Sequence, residues 1–267
     1  MDDRAHKYDY LVDINSNTAA AKVINFVGQR KRVLEIGCGP GSITKHLKND
    51  NHCSIVGLEV DPDAIKLVTP FCEQVLSVDL NNADWNQLAE TVGSFQTIVA
   101  ADVLEHLYDP WSVLTRLRPL LDTGGEIVVS LPHVGHAAIS GCLIHGSFEY
   151  RDWGLLDRTH IRFFDLAGVD RLFGSNGYKI IDVSFVITPP EETEFAAIWS
   201  ELDEKIKQVL RQPIHANVYQ VVVKAVPDDS DGVAVSVASA IQQLPRPVQP
   251  NASIVSKLKK LVHRLRV

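Results

Sequence analysis

The sequence predicts an α/β fold built on a doubly wound, mostly parallel sheet, followed by a linker and a short C-terminal helix. Three observations predict it. Seven short apolar runs have strand character, and most are separated by stretches of helical spacing. A glycine-rich turn, Gly37-Cys38-Gly39-Pro40-Gly41, directly follows the first run. Acidic residues end successive runs at Glu59, Asp79 and Asp102. Strands alternating with helices imply crossover connections and therefore parallel pairing. With 267 residues, 45% of them hydrophobic, the chain can bury one large core.

The elements follow in order. Residues 1–16 are polar and expected to form a lid. Apolar residues recur at helical spacing over 18–27, and Arg30-Lys31-Arg32 then leads into the first buried run, Val33-Leu34-Glu35-Ile36. Further runs occupy 55–60, 74–78, 97–101 and 126–131. Asp61 or Asp63 can cap a helix through Val68, and Asp84 one through about Thr91. Asp109-Pro110 can start one that runs to Leu121, with Gly124-Gly125 closing it. The rhythm then breaks: 133–165 is rich in Gly, His, Arg and aromatic residues, has no clean period, and stands where a substrate cover belongs. A helix resumes over 166–176. A sixth strand is expected at 178–188, a helical insertion at 190–212 and a seventh strand at 217–226. Residues 228–252, rich in Asp, Ser, Ala and Pro, read as a flexible linker.

Composition removes several functional classes. The formal net charge is -7 although the stretch beyond Pro227 is basic, so the body is acidic. Nucleic-acid binding, which needs a basic surface, is not expected. Cys38, Cys53, Cys72 and Cys142 form no CxxC pair, and no histidine cluster has zinc-finger spacing; no metal site is expected. The polar N-terminus lacks a signal-peptide core, and no apolar run approaches the ~20 residues that cross a bilayer. The expected location is the cytoplasm.

The turn carries the chemistry. Glycine lets a ligand approach backbone N–H groups at a helix start. The spacing is GxGxG, with Ser42 where a dinucleotide site would place its third glycine. That departure, with Glu35 before the turn, favours a nucleoside carrying an amino-acid arm. Glu35 can answer an ammonium, Gly37 and Gly39 leave backbone open, and Glu59 lies about 20 residues on, where a carboxylate accepts from ribose hydroxyls. Val60 would lie against the base, Asp79 would accept from its amino group, and Asp102 would meet the arm. Cys38, Gly41, Leu80 and Ala101 complete the expected cofactor set.

The segments Val33-Leu34-Glu35-Ile36-Gly37-Cys38-Gly39-Pro40-Gly41 and Gly57-Leu58-Glu59-Val60-Asp61 resemble the class I S-adenosylmethionine-dependent methyltransferases, over roughly residues 15–226. The resemblance implies a Rossmann-like sheet of seven strands with the last antiparallel. It also implies S-adenosylmethionine as donor and S-adenosylhomocysteine as product. Asp102-Val103-Leu104-Glu105-His106-Leu107 further resembles the small-molecule, ubiquinone-type group.

Methyl transfer needs an aligned acceptor and, for a hydroxyl, removal of a proton. His106, His133, His136 and His160 are the candidate bases, His106 first; one of Glu105 and His106 should face the pocket. Tyr8, Tyr10, Tyr150, Arg158 and Arg162 are candidate acceptor contacts, since aromatics stack on sugars and arginines pair with anions. Asp157-Arg158 and Arg162 would equally serve an internal ion-pair network that only holds the segment. The expected acceptor is a small molecule or a saccharide of a cell-surface glycan pathway.

In 253–267, Ile254, Leu258, Leu261 and Leu265 fall on one face of a basic amphipathic helix. It suits reversible binding at the inner face of a membrane, a partner protein or a second copy of the chain. Two other functions stay open: a nicotinamide-dependent oxidoreductase, disfavoured by the missing third glycine, and a noncatalytic nucleoside-binding scaffold recruited through that helix.

Overall fold

A computed structural model describes residues 8–244. The expectations for 1–7 and for the helix at 253–267 lie outside the described residues. In chain order the elements begin with α1 (Ala19–Val27), β1 (Arg32–Ile36), α2 (Thr44–Asn49), β2 (Ser54–Glu59), α3 (Pro62–Val68), β3 (Gln74–Ser77), α4 (Trp85–Val92) and β4 (Phe95–Ala101). Then come α5 (Pro110–Leu117), β5 (Leu121–Pro132), α6 (Ala137–His145), α7 (Leu166–Gly174) and β6 (Tyr178–Ile187). The last are α8 (Ala196–Glu201), α9 (Glu204–Leu210), β7 (Val218–Pro227) and α10 (Val237–Ala240).

The seven strands form one sheet in the order β3-β2-β1-β4-β5-β7-β6. Pairing is parallel from β3 through β5, and β7 runs antiparallel to both β5 and β6. The central strands send alternate residues to opposite faces, as the two-residue period requires. Leu34, Ile98, Ile127, Val129 and Val223 enter one core, while Val33, Val99, Val128 and Val222 enter the other. Burial on both faces explains why these runs are continuously apolar.

Local signals start the helices. Thr18 accepts from the Ala21 N–H, Asp61 from Asp63, Asp84 from Asn86 and Gln87, and Asp109 from Ser112. Each satisfies backbone donors left unpaired in the first turn. The crossover helices therefore start where expected.

Four expectations need correction. The helix after Asp109 ends at Leu117, because Pro119 in the following 3-10 turn (Arg118–Leu120) cannot continue an α-helix. Gly124 and Gly125 lie inside β5, where a Cβ on Gly125 would stand 2.9 Å from the Asp122 carbonyl oxygen and 3.0 Å from that of Phe95. The insertion at 190–212 is two short helices, α8 and α9, separated at Leu202 and Asp203, where Asp203 caps the second. Residues 228–244 are anchored rather than a free linker: 231–236 are exposed, but Val237 and Ile241 are buried in the main core, and Asp170 accepts from the N–H groups of Val237 and Ala238.

The cover segment is also more ordered than its composition suggests. It contains α6, whose Ala138, Ile139 and Cys142 pack with Leu155, Leu156 and Phe195 in a small core of their own. A second cluster joins Ala137 to Trp199 and Leu202 of the insertion. Cover and insertion thus hold each other at the C-terminal edge of the sheet. Among the described residues no helix is long and apolar enough to cross a membrane.

Candidate functional site

A cavity of about 830 Å³ opens at the C-terminal ends of β1, β2, β3 and β4, beneath the N-terminal segment and the cover. Ligands of doubly wound sheets bind at this edge. Its floor is the glycine turn, where Gly37, Gly39 and Gly41 have φ of +61°, +53° and +92°. Side chains rarely adopt these conformations. The three glycines nonetheless do different work. A Cβ on Gly37 would stand 2.7 Å from Val103 Cγ2, whereas Gly39 faces open space. Gly41 does not line the cavity; its missing side chain admits Val68 of α3, whose Cγ2 would lie 2.9 Å from a Cβ.

Four carboxylates ring the turn. Glu35 is the penultimate residue of β1, only 3% exposed, with Thr44 Oγ1 donating to its Oε2 at 2.7 Å. Burial pushes its pKa up to about 7, against the lowering effect of the Thr44 hydrogen bond. Glu59 accepts from the Gly39 N–H at 2.7 Å through Oε2, and from the Val60 and Asp61 N–H groups through Oε1. Asp79 accepts from the Asn81 N–H and from Asn82 Nδ2, and these bonds hold its carboxyl below the usual range. Asp102 adopts the left-handed conformation (φ +53°), accepting from Ser130 Oγ at 2.8 Å and Gln220 Nε2 at 2.9 Å. Burial raises the Asp102 pKa. A left-handed aspartate turns the chain sharply out of β4 and is tolerated because its own side chain is so firmly bonded.

Cys38, Leu80 and Ala101 also line the cavity, as does Val60, which is 62% exposed. Tyr8 and Tyr10 reach it too, tied to the turn by Ser42, whose hydroxyl donates to the Tyr8 carbonyl and accepts from the Tyr10 N–H. No lysine or arginine is among the described residues of its wall.

At the other end stand Glu105, His106 and His160. The expectation that only one of Glu105 and His106 faces the pocket is corrected: both line it, from the 3-10 turn Leu104–His106 that follows β4. His106 and His160 meet edge to face with ring centroids 4.8 Å apart. Burial pushes the Glu105 carboxyl well above the usual range, and Asp102 adds to the shift.

The remaining candidates fall elsewhere. His133 is buried with Nδ1 3.2 Å from the Val218 carbonyl. His136 caps α6, accepting from the Ala138 N–H at Nδ1 and bonding the Thr188 carbonyl through Nε2 at 2.8 Å. Burial lowers both pKa values to about 4, so both are neutral structural groups outside the cavity wall. Tyr150 is exposed and stacks edge to face on Phe148. Arg158 pairs with Asp152, and Arg162 donates to the Tyr108 carbonyl and lies over Trp111; the two arginines brace the cover.

Several cavity residues were not singled out from the sequence. Asp157, expected only in an ion-pair network, lines the wall; of the others, Trp153 and Thr159 reach it from the cover, and Tyr219 and Gln220 from β7. The last two carry no motif, and only the placement of β7 beside β5 brings them to Asp102.

Comparison with known proteins agrees with this geometry. The family model described as a methyltransferase domain matches residues 10–183. A ubiquinone biosynthesis O-methyltransferase of Xanthomonas euvesicatoria pv. vesicatoria is 28% identical over 134 residues, covering 46% of this chain and 56% of that protein. The protein of the same name in Cereibacter sphaeroides is 33% identical over 103 residues, covering 38% and 41%. The chain thus spans about half the length of the curated relatives it matches. Among solved structures, a SAM-dependent methyltransferase from Archaeoglobus fulgidus superposes with a TM-score of 0.53 at 18% identity, covering 77% of this chain and 91% of that one. The cyclase SpnF superposes at 0.51 with 14% identity, covering 83% and 87%. The fold alone therefore leaves the reaction to the residues of the site. By its family match, over a sheet and glycine turn of the kind described, the chain belongs to the methyltransferase-domain family.

Proposed function

We propose that the chain transfers the methyl group of S-adenosylmethionine to an oxygen of a small molecule or saccharide. The observation that carries this reading is the cavity's charge. Glu35, Glu59, Asp79 and Asp102 converge on the turn, and no described lysine or arginine lines the wall. A ligand with a sulfonium and an ammonium suits such a site. A dinucleotide pyrophosphate does not, and the Gly39 N–H it would need already bonds Glu59.

The residues fit the donor. Glu35 would face its ammonium, the backbone at Gly37 its carboxylate with the empty side of Gly39 leaving room for it, and Glu59 its ribose hydroxyls. Val60 and Leu80 would flank the adenine, with Asp79 toward the amino group and Ala101 and Asp102 beside the methionyl arm. When bound, S-adenosylmethionine supplies an electrophilic methyl group. Tyr8, Tyr10 and the cover then exclude water from the cavity, and the acceptor enters beside Glu105, His106 and His160, the group placed to deal with its hydroxyl proton. A saccharide acceptor is supported by the exposed face of Trp153 at the wall, a surface on which a sugar ring can stack. A cytoplasmic location is consistent with that assignment.

Calorimetry tests it. The full chain should bind S-adenosylmethionine and S-adenosylhomocysteine but not NADH, and Gly39→Arg, which fills the open side of the turn, should abolish binding while circular dichroism stays native. Folded wild-type protein that binds neither sulfur ligand would overturn the proposal.

A further inference from the structure

We propose that the methyl acceptor carries a protonated amine beside its hydroxyl groups, as an amino sugar or another amino alcohol does, and that the acceptor end of the cavity selects it through lone pairs and negative charge. The proposal rests on the methyltransferase reading and names the substrate class of that same site.

The hydrogen-bond inventory points first to a ligand rich in donors. Tyr219 and Thr159 both line the cavity, yet neither has a hydroxyl proton to offer. The proton of Tyr219 goes to Glu194 Oε2 at 3.0 Å, and that of Thr159 to Asp157 Oδ1 at 2.6 Å. A hydroxyl that has spent its proton keeps only lone pairs. One N–H of Gln220 is likewise spent on Asp102, at 2.9 Å. His106 turns Nδ1 to the Thr159 carbonyl at 3.1 Å; a carbonyl only accepts, so the neutral ring keeps its lone pair at Nε2. This part of the wall therefore presents mostly acceptors.

The arrangement is held by one carboxylate. Glu194 Oε1 accepts from the Leu155 N–H at 2.7 Å while Oε2 holds Tyr219. Gly154, at φ +91°, admits it, since a Cβ there would overlap Glu194 Oε1. Insertion, cover and β7 thus meet at Glu194, which keeps the Tyr219 proton from the ligand.

Charge narrows the class from donors to cations. Glu105 lines the cavity and is 1% exposed, and neither of its carboxylate oxygens has a hydrogen-bond partner among the described residues. Such groups are rare, because losing water costs free energy that a donor must offset. Burial, with Asp102 and Asp157 adding to it, pushes the Glu105 carboxyl well above the usual range, and a cation beside it favours the charged form again. Asp157 stands on the same wall, and no described lysine or arginine lines the cavity to neutralise the two acids. The arginines of the cover turn elsewhere: Arg151 lies over the Phe195 ring, Arg158 pairs with Asp152 and Arg162 bonds the Tyr108 carbonyl. A sugar phosphate or uronic acid would meet like charge and few donors. A neutral polyol supplies donors but leaves the acids uncompensated. An ammonium supplies three donors and the charge together, and the exposed indole of Trp153 offers it a face.

The test uses the full chain with S-adenosylhomocysteine bound and two matched sets of probes: glucosamine, glucose and glucose 6-phosphate, then tyramine, tyrosol and 4-hydroxyphenylacetate. Titrations followed by saturation-transfer NMR give each Kd. In at least one set the amine should bind about 10-fold tighter than its neutral partner, and the anion should not bind. Glu105→Gln should remove that preference while leaving the neutral probe's Kd unchanged, a split that a merely structural role would not produce. Trp153→Lys, at an exposed position, should weaken the amine and admit the anion. Circular dichroism and S-adenosylhomocysteine binding on the same samples separate misfolding and failure of the donor reading from failure of the amine assignment. Folded wild-type protein that binds S-adenosylhomocysteine but prefers the amine in neither set, or a preference that survives in both variants, would overturn the proposal.

Discussion

Glu35→Gln tests the electrostatic account of the donor end most directly. Burial lifts the Glu35 pKa from the ordinary 4.5 to about 7. Between these values the folded chain holds a proton that the unfolded chain releases, so this group makes folding less favourable as pH rises through the window and costs its full amount above 7. At 1.36 kcal/mol per unit, the shift of roughly 2.5 units is worth about 3 kcal/mol at pH 8 and about 1 kcal/mol at pH 5. Glutamine keeps an oxygen for Thr44 Oγ1 to donate to and removes the charge. The variant should therefore gain stability over wild type with rising pH, the gap widening by about 2.5 kcal/mol between pH 5 and 8. Urea unfolding of ligand-free protein at several pH values measures the gap, and all other titrating groups cancel in the difference. The same variant should bind S-adenosylhomocysteine more weakly at pH 8, having lost the carboxylate proposed to face the ammonium. A stability gap independent of pH would refute the reasoning, because Glu35 would then carry no proton-linked cost.

Two further predictions follow from residues that the structure moves out of the ligand's reach. Gly41→Ala should destabilise the fold by about 1–3 kcal/mol through its positive φ and its clash with Val68. S-adenosylhomocysteine affinity should not change, and combining the substitution with Val68→Ala should cost less than the sum of the two; additive costs in a double-mutant cycle would show that the contact is absent. His136→Ala should cost about 2–4 kcal/mol, since it leaves the Ala138 N–H and the Thr188 carbonyl unpaired, without altering methyl transfer by protein that remains folded. With its pKa lowered from 6.5 to about 4, His136 favours folding fully above pH 6.5, and its benefit drains away as pH falls through that interval. The gap between wild type and variant in urea unfolding should accordingly shrink toward pH 4, and a constant gap would contradict the assignment.

The donor end was legible because its information is local. Glu35, Glu59, Asp79 and Asp102 each lie within two residues of a strand's end, and the strands announce themselves by short apolar runs. Helix starts were legible for the same reason, since Asp61, Asp84 and Asp109 bond donors within three residues of themselves. The acceptor end was not. His133, His136 and His160 stand in one aperiodic segment, and nothing local distinguishes the two that turn inward to backbone carbonyls from the one that meets His106. Gly41 illustrates the same limit, because a glycine emptied for a neighbouring helix is spelled like one emptied for a ligand. Val237, Ala240, Ile241 and Leu244 were misread because their helical spacing extends over only two turns beside a run of Asp, Ser and Ala.

Gln220 gives the order of the sheet a temporal meaning. Its amide holds Asp102, yet it arrives on β7, 118 positions later in the chain. During synthesis, β1 to β5 can assemble while β5 still presents a bare edge and Asp102 lacks one of its two side-chain donors. The pocket therefore matures only when β7 slots between β5 and β6, so a nascent chain halted before that strand would have the glycine turn but not the finished wall. A ligand that needs the finished wall would then add its binding free energy only to the completed fold.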